Sequence, residues 1–427
     1  MNYTEARQAL DRLPFLDVKP GLERIERLLD ALDHPQRAFP AVHIAGTNGK
    51  GSVTAMLARV LSQAGYKVGR FTSPDFLDFR DRIEIDGLWI GKNEFAAAVE
   101  QLLPVFAGDD PPTLFEALAA IAFHHFASQQ VDLAVVEVGL GGRFDATNVV
   151  SPILTILTNV DRDHLSLLGG TVEKVAWEQA GIAKENVPFL IPDLPVSIAG
   201  VVNEEVRKVR AKPVSAGPIT VKREAFDWER ATYCVTGGDL PKTIYLPLLG
   251  RYQQANLQQI LRAVEILRQG GLAIPNSAVA EGLATVRWPG RFEVIARRPT
   301  VILDGAHNLP AIRALAADIE SVLPQRAQRH LMFGILADKE TDAICRTLFP
   351  LFARVTLTCS QSPRALPLNT LARIAESLGV TGICSATVEE GVSAATKALT
   401  SDDALLITGS LTVVREARER LSESAGD

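Results

Sequence analysis

Ala41-Val42-His43-Ile44-Ala45-Gly46-Thr47-Asn48-Gly49-Lys50-Gly51-Ser52 is the stretch whose reading decides the fold. A short apolar run, rich enough in Val and Ile for a buried strand, breaks into a glycine-rich turn that ends in Lys-Gly-Ser. A helical pattern follows at once, with Val53, Met56, Leu57, Val60 and Leu61 on one face and Gly65 as a stop. Strand, glycine loop, lysine and helix start are the parts of a phosphate cradle. Successive backbone N–H groups turn onto an anion, the helix N-terminus adds partial positive charge, and Lys50 adds a full one. The spacing departs from G-x-x-x-x-G-K-[ST]: Ile44 stands where the first glycine would be, Gly51 follows the lysine, and the nearest hydroxyl is Ser52. A bare glycine-rich turn would be read as a generic strand-to-helix connection. The Gly-Lys-Gly-Ser run at a helix start decides for a nucleotide-phosphate loop.

Composition bounds the rest. A chain of 427 residues suggests two or three domains with large buried cores. Hydrophobic residues at 47% with 22% charged describe a globular protein, and a net charge of −6 without a long basic run gives no reason to expect nucleic acid. Cys234, Cys345, Cys359 and Cys384 are scattered without a C-x-x-C pair, which fits a reducing compartment. No basic-then-apolar leader opens the chain and no apolar run reaches about 18 residues, so a cytoplasmic protein without a membrane partner is expected.

The first 40 residues read as helical, with Leu22, Ile25, Leu28, Leu29 and Leu32 in helical register until Pro35. After the loop helix, Lys67 to Phe71 reads as the strand that completes a βαβ unit, and Pro74 places Ser73 on the loop beyond it. Loops at the carboxyl ends of parallel strands face the ligand crevice. Ser73 is therefore either a ligand-facing hydroxyl or a turn serine. Thr113-Leu114-Phe115-Glu116 opens a helix running to about Ser128, and Thr-x-x-Glu is a capping box that by itself explains both polar residues.

Val131 to Val138 reads as a buried strand with Glu137 near its end. An acid there is the usual second half of a phosphate-loop site, and a buried carboxylate requires a cation or a partner. Gly139-Leu140-Gly141-Gly142-Arg143 follows, too irregular for a dinucleotide fingerprint and better suited to a loop presenting Arg143, Asp145 and Asn148. The strand Ile153 to Thr158 leads into Asn159-Val160-Asp161-Arg162-Asp163-His164. His164 reads as a general base, a metal ligand or a helix-start histidine. As a ligand it would be unusual for Mg²⁺, which prefers oxygen, and would point to Mn²⁺ as well.

Taken together, Gly46 to Ser52, Phe71-Thr-Ser-Pro74, Glu137-Val-Gly-Leu-Gly-Gly-Arg-Phe-Asp-Ala-Thr-Asn148 and Asp163-His164 stand in an order that resembles the folylpolyglutamate synthases, in particular the form that is also a dihydrofolate synthase. That family belongs to the Mur-ligase superfamily of ATP-dependent amide-forming enzymes. The resemblance continues through Glu178-Gln-Ala-Gly-Ile182, Gln253-Gln-Ala-Asn256, Trp288-Pro-Gly-Arg-Phe-Glu293, Asp304-Gly-Ala-His-Asn308 and Thr408-Gly-Ser-Leu411, and so covers nearly the whole chain.

The resemblance implies roles. Gly49, Lys50, Gly51 and Ser52 would hold ATP phosphates, and Ser73, Glu137 and His164 would bind Mg²⁺. Thr113, Leu114, Phe115 and Glu116, with Phe144, Asp145 and Ala146, would line a pterin pocket for 7,8-dihydropteroate. Asn256, Arg291 and Asp304 would contact ATP, the last two at a junction between domains. His307 reads equally as a glutamate contact or a turn cap, and Lys339 as a glutamate contact or a solvated surface lysine. One residue departs from the pattern. The superfamily often carries Glu-Lys-Ala-Gly-Ile, whose lysine is carbamoylated beside a second metal, and this chain has Gln179 there. An amide takes no carbamate and is a poor substitute for an anionic ligand, and Lys184 is not the same position.

The expected fold is α/β: an N-terminal phosphate-loop ATPase domain with a mostly parallel sheet (1–296) and a smaller Rossmann-like α/β domain (297–427). The second rests on strands near Val301–Leu303, Leu331–Phe333, Val355–Thr358 and Leu405–Ile407 that alternate with helices. An irregular β-rich stretch runs from about Val214 to Leu249, and Trp288 to Pro299 reads as the linker. The expected chemistry is phosphoryl transfer to a folate or pteroate carboxylate, then attack on the acyl phosphate by the amine of L-glutamate. Closure of two domains would exclude water. Two other classes remain. A non-ligase phosphate-loop ATPase needs no pterin pocket, and a cell-wall Mur ligase usually has a further N-terminal domain for which 40 residues leave no room. A monomer acting on small molecules is expected.

Overall fold

The carboxyl ends of four neighbouring strands form one edge of a large sheet, and that edge carries nearly every polar motif of the first half of the chain. The computed structural model describes residues 1–14, 19, 21–165, 167–323 and 328–424. Its first sheet contains β1 (Ala41–Ala45), β2 (Val68–Phe71), β3 (Ile83–Ile85), β4 (Leu88–Trp89), β5 (Leu133–Glu137), β6 (Pro152–Leu157), β7 (Pro188–Ile191) and β8 (Lys212–Ser215), in the order β4-β3-β2-β5-β1-β6-β7-β8. β3 and β4 are an antiparallel edge hairpin, and the other strands run parallel. The central strand β1 lies between β5 and β6, with Ile44 opposite Glu137 and Ala45 opposite Leu157. This is the point at which connections diverge to either side, where an open parallel sheet leaves a crevice.

Local signals explain the flanking helices. Gly49 precedes the helix Lys50–Gln63, Thr113 caps Leu114–Ser128 through a reciprocal capping box with Glu116, and Thr171 caps Val172–Ala180. Helix Leu114–Ser128 is apolar on nearly every side and packs Phe123 and Phe126 with Phe39 and Phe71 into a core on one face of the sheet. Val175, Ala176, Val202 and Val206 cover another region with Leu157 and Phe189. The expected β-rich stretch is β8 followed by a small sheet of β9 (Thr220–Phe226), β10 (Ala231–Thr236) and β11 (Thr243–Leu246), and the next helix is Gln253–Gln269.

A second sheet contains β12 (Glu293–Arg297), β13 (Thr300–Leu303), β14 (Arg329–Phe333), β15 (Arg354–Thr358), β16 (Ile383–Ser385) and β17 (Ala404–Thr408), ordered β12-β13-β17-β14-β15-β16. All are parallel except β12, which pairs antiparallel with β13. Phe292, Phe333 and Phe349 anchor its core. The stretch expected to be a linker therefore holds an edge strand: four of the five residues of the Glu293–Arg297 run pair with β13, with a register shift at Ile295, before Arg298-Pro299. The chain divides into two compact units. One comprises 1–222, 232–246 and 254–286; the other comprises 223–231, 247–253 and 287–427. The position 296/297 falls inside β12. Among the described residues no helix is long and apolar enough to cross a membrane.

Candidate active site

The phosphate loop follows β1 directly. Gly49 has φ +85°, the left-handed region that glycine enters without strain. A Cβ there would also stand 2.6 Å from Oδ1 of Asn256, so the Asn256 side chain lies against the loop. Lys50 is the first residue of its helix and folds back, its Nζ donating to Gly46 O at 2.8 Å and Thr47 O at 3.3 Å. Ser52 follows in the first helical turn and is buried. The loop, the lysine and the N-terminus of a fourteen-residue helix are thus assembled as the sequence indicates.

The segment after β6 braces this loop. Thr47 N donates to Asn159 O at 3.1 Å and Asn48 N donates to Asn159 Oδ1 at 2.8 Å. The Thr158 hydroxyl donates to Asn48 O at 2.6 Å, and Asp161 N donates to Thr47 Oγ1 at 3.0 Å. Gln259, one turn beyond Asn256, donates to Thr158 O at 2.7 Å. His164 ends the segment with φ +49°, its Nε2 3.8 Å from Asp163 Oδ2. Composition and spacing single out His164 here but not Asn159 or Thr47; a run of polar residues just past a strand was their only signal.

Glu137 is the last residue of β5 and only 3% exposed. Its Oε2 accepts the backbone N–H of Ser73 at 3.1 Å, so the acid and the Ser73 loop come from adjacent parallel strands to one place. A carboxylate beside a hydroxyl-bearing loop is an oxygen donor set of the kind a hard divalent cation takes. No group of three or more His, Cys, Asp or Glu in metal-binding arrangement occurs among the described residues.

The residues expected around a pterin lie at the same edge. The ring of Phe115 packs over the backbone of Gly139, where a Cβ would meet it at 2.5 Å, and its centroid is 5.7 Å from that of Phe71. Glu116 Oε2 accepts Thr113 N at 2.6 Å and the Thr113 hydroxyl at 2.9 Å. Asp145 is buried, and its oxygens accept Gly139 N (3.0 Å), Leu140 N (2.9 Å), Thr147 N (3.0 Å) and the Thr147 hydroxyl. Burial pushes its carboxyl up against the pull of these donors. With its lone pairs engaged in this way, Asp145 gives the 139–147 loop its shape. Phe144 is 41% exposed, and Ala146 beside it is buried.

His43, in the middle of β1, supports the 139–147 loop. Its Nε2 is 2.8 Å from Thr147 Oγ1, and complete burial, with a smaller push from Lys184, lowers its pKa to about 3. The imidazole is therefore neutral. A histidine inside an otherwise apolar strand was the signal for it.

Arg291, Asp304 and His307 belong to the second unit. Asp304 follows β13, and its carboxylate accepts Phe292 N and Ala306 N, both at 2.8 Å, and Tyr252 OH at 3.1 Å. Burial raises its pKa, opposed chiefly by the positive charge of Arg291. Asn308, not His307, caps helix Leu309–Val322 by accepting Ala311 N at 3.0 Å. His307 Nδ1 contacts Gly305 O at 2.8 Å. Lys339 is no solvated surface lysine: its side chain is 5% exposed, with Nζ 3.7 Å from Asp338 Oδ2.

Two family models match this chain. The Mur ligase middle domain matches residues 44–261, and the Mur ligase glutamate ligase domain matches residues 290–411. The chain is 34% identical to the dihydrofolate synthase/folylpolyglutamate synthase of Bacillus subtilis, over 98% of this chain and 99% of that protein. A structure of Mycobacterium tuberculosis folylpolyglutamate synthase complexed with ADP superposes with a TM-score of 0.90 at 31% identity, covering 98% of this chain and 97% of that one. Folylpolyglutamate synthase from Thermotoga maritima gives 0.86 at 32% identity over 99% and 97% of the two chains. With both domains matched, and in the order that the site residues follow along the chain, this protein belongs to the dihydrofolate synthase/folylpolyglutamate synthase family of the Mur ligases.

Proposed function

We propose that this chain is an ATP-dependent ligase that adds L-glutamate to 7,8-dihydropteroate and to folates. The observation that carries this reading is the juxtaposition at one sheet edge. The phosphate loop with Lys50, the Ser73–Glu137 pair and the Phe115–Gly139 wall all stand at the carboxyl ends of β1, β2 and β5. A nucleotide switch needs the first two and has no use for the third.

The loop N–H groups, the helix N-terminus and Lys50 would neutralise charge that spreads over the γ-phosphoryl of ATP as it moves to the substrate carboxylate. Lys50 has only to swing off Gly46 O and Thr47 O to reach a phosphate, since both contacts lie within its own loop. The carboxylate oxygen then leaves as phosphate when the glutamate amine attacks. Glu137 and Ser73, with His164 on the braced segment, would hold Mg²⁺, which when bound supplies further positive charge to the phosphates. Asn256 beside Gly49 is the proposed nucleotide contact of the first unit, and Arg291 and Asp304 are those of the second. Thr113, Leu114, Phe115 and Glu116, with Phe144, Asp145 and Ala146, are the proposed pterin wall, Asp145 acting by shaping the loop. His307 and the buried Lys339 are the proposed glutamate-side groups of the second unit.

The test is phosphate release from ATP by the purified chain. Release that requires both glutamate and dihydropteroate, and that also occurs with glutamate and a tetrahydrofolate, is the expected result. Hydrolysis indifferent to either co-substrate would overturn the ligase reading. Elongation of tetrahydrofolates without consumption of dihydropteroate would remove the dihydrofolate synthase half. Turnover of a uridine-nucleotide peptidoglycan precursor in their place would make the chain a cell-wall ligase.

A further inference from the structure

We infer that Gln179 is a positioning residue for the phosphate loop, an uncharged clamp between Thr47 and Asn159. The inference rests on the reading of that loop as an ATP site. Gln179 projects from the last turn of helix Val172–Ala180 and is 2% exposed, so its amide must find partners inside the protein. It finds them on the two loops that form the nucleotide edge. In the amide orientation that satisfies both ends, the side-chain oxygen accepts from Thr47 N and Thr47 Oγ1, each at 3.1 Å. The side-chain nitrogen donates to Asn159 O at 3.2 Å.

These bonds close a ring. Thr47 N also donates to Asn159 O, and Asn159 Oδ1 takes Asn48 N, so the clamp ties together the same residues that hold each other. Thr47 O is one of the two carbonyls on which Lys50 rests. The residue that Gln179 grips is thus also one that sets where the lysine starts from. The helix end is itself held against the 139–147 loop: a Cβ on Gly142 would meet Glu178 O at 2.9 Å and the Cα of Gln179 at 3.2 Å, and Arg143 N donates to Glu178 O at 2.9 Å.

The site asks for one acceptor and one donor on a side chain of this length. Glutamate would set a carboxylate against Asn159 O, lysine would leave Thr47 N without its second acceptor, and an apolar residue would satisfy neither. The loss of these three hydrogen bonds is felt at the loop they shape, so it should fall on nucleotide affinity rather than on the pterin wall.

The experiment compares Gln179→Met, which keeps length and volume, with Gln179→Glu, which keeps shape and loses the donor. Direct titration with ADP and steady-state kinetics are run on both and on the wild type. Gln179→Met should raise KM for ATP and weaken ADP binding about tenfold, Gln179→Glu by more, while KM for the folate substrate changes less than about twofold. Thr47→Val should do the same, and the pair Thr47→Val/Gln179→Met should be no worse than the poorer single variant. If Gln179→Met does not fold, the Thr47→Val and Gln179→Glu values carry the test. Unchanged nucleotide affinity, strict additivity, or a parallel rise in the KM of all substrates would overturn the role of Gln179. A wild-type protein that binds no ADP would instead overturn the reading of the loop.

Discussion

Ser73 and Glu137 are joined by a backbone hydrogen bond: the Ser73 N–H donates to Glu137 Oε2 at 3.1 Å. That bond needs an acceptor oxygen but not a charge. Glu137→Gln keeps an oxygen for Ser73 and removes the anion, so the loop should hold its place while divalent-cation affinity collapses. We expect unchanged circular dichroism, and a loss of activity on the order of 10²-fold or more that excess Mg²⁺ only partly restores. Titration of Mn²⁺ by electron paramagnetic resonance reads the cation directly. Wild-type Mn²⁺ affinity in the variant would remove Glu137 from the metal site.

Lys50 donates to Gly46 O and Thr47 O, both in the loop that precedes its own helix, and it pairs with neither a side chain nor a distant element in these two bonds. Lys50→Ala should keep the melting temperature within a few degrees and lower turnover on the order of 10²-fold or more, since one positioned cation on a transferring phosphoryl is removed. Near-normal turnover by purified variant would end the phosphate-loop assignment.

His43 makes the first unit acid-sensitive. Its pKa falls from the ordinary 6.5 to about 3 because it is fully buried. Between these values the unfolded chain takes up a proton that the native chain refuses. The contribution is complete above about pH 6.5 and is lost as pH falls, with a slope of at most about 1.4 kcal/mol per pH unit. Urea midpoints of wild type and His43→Gln between pH 4 and 7 check this: the wild type should lose stability faster on the acid side, and parallel curves would show the histidine to be silent.

Asp318 gives the second unit the opposite sign. Both its oxygens accept Arg251 N, at 3.0 and 2.9 Å, yet burial in the helix Leu309–Val322 raises its pKa from 3.8 to about 7. Between pH 4 and 7 the native chain keeps a proton that the unfolded chain releases, so this group costs stability as pH rises through that window. Asp318→Asn retains an acceptor for Arg251 N without a titrating charge. Its stability relative to wild type should therefore improve from pH 4 to pH 7. A difference independent of pH would show that Asp318 titrates normally.

What could be read from the sequence was local. Gly46 to Ser52 carries the strand end, the cradle and the helix start within one short run, and Thr113 and Glu116 announce a cap that the structure forms by that same pair. What could not be read was side-chain pairing over distance. His43 reaches Thr147 across 104 positions and Gln179 reaches Thr47 across 132, and neither residue type nor spacing specifies such a partner. β12 was hidden because five residues ending at Arg297, before Arg298-Pro299, look like a linker until β13 supplies the ladder. Lys339 was ambiguous for a related reason: a lysine in a polar turn looks solvated unless the packing around its stem is known.

Carbamoylation needs a neutral amine, carbon dioxide and a cation to stabilise the product, and Gln179 offers no amine. Its amide is already committed to Thr47 and Asn159, so the position is filled by a different device. Lys184, the nearest alternative, is pushed toward the neutral form by burial, but its Nζ donates to Asn148 O at 2.9 Å, at the far end of the 139–147 loop from Glu137. A carbamate there would bring an anion against a carbonyl oxygen that now accepts a hydrogen bond. We therefore expect activity that is unchanged by degassing or by added bicarbonate, and an intact mass equal to that of the unmodified chain in bicarbonate buffer. Gln179→Lys should supply the amine yet weaken the site, because the same change removes one of the two acceptors of Thr47 N. A bicarbonate-dependent rise in wild-type turnover, with added mass on Lys184, would show that an anionic lysine still serves this enzyme from a neighbouring position.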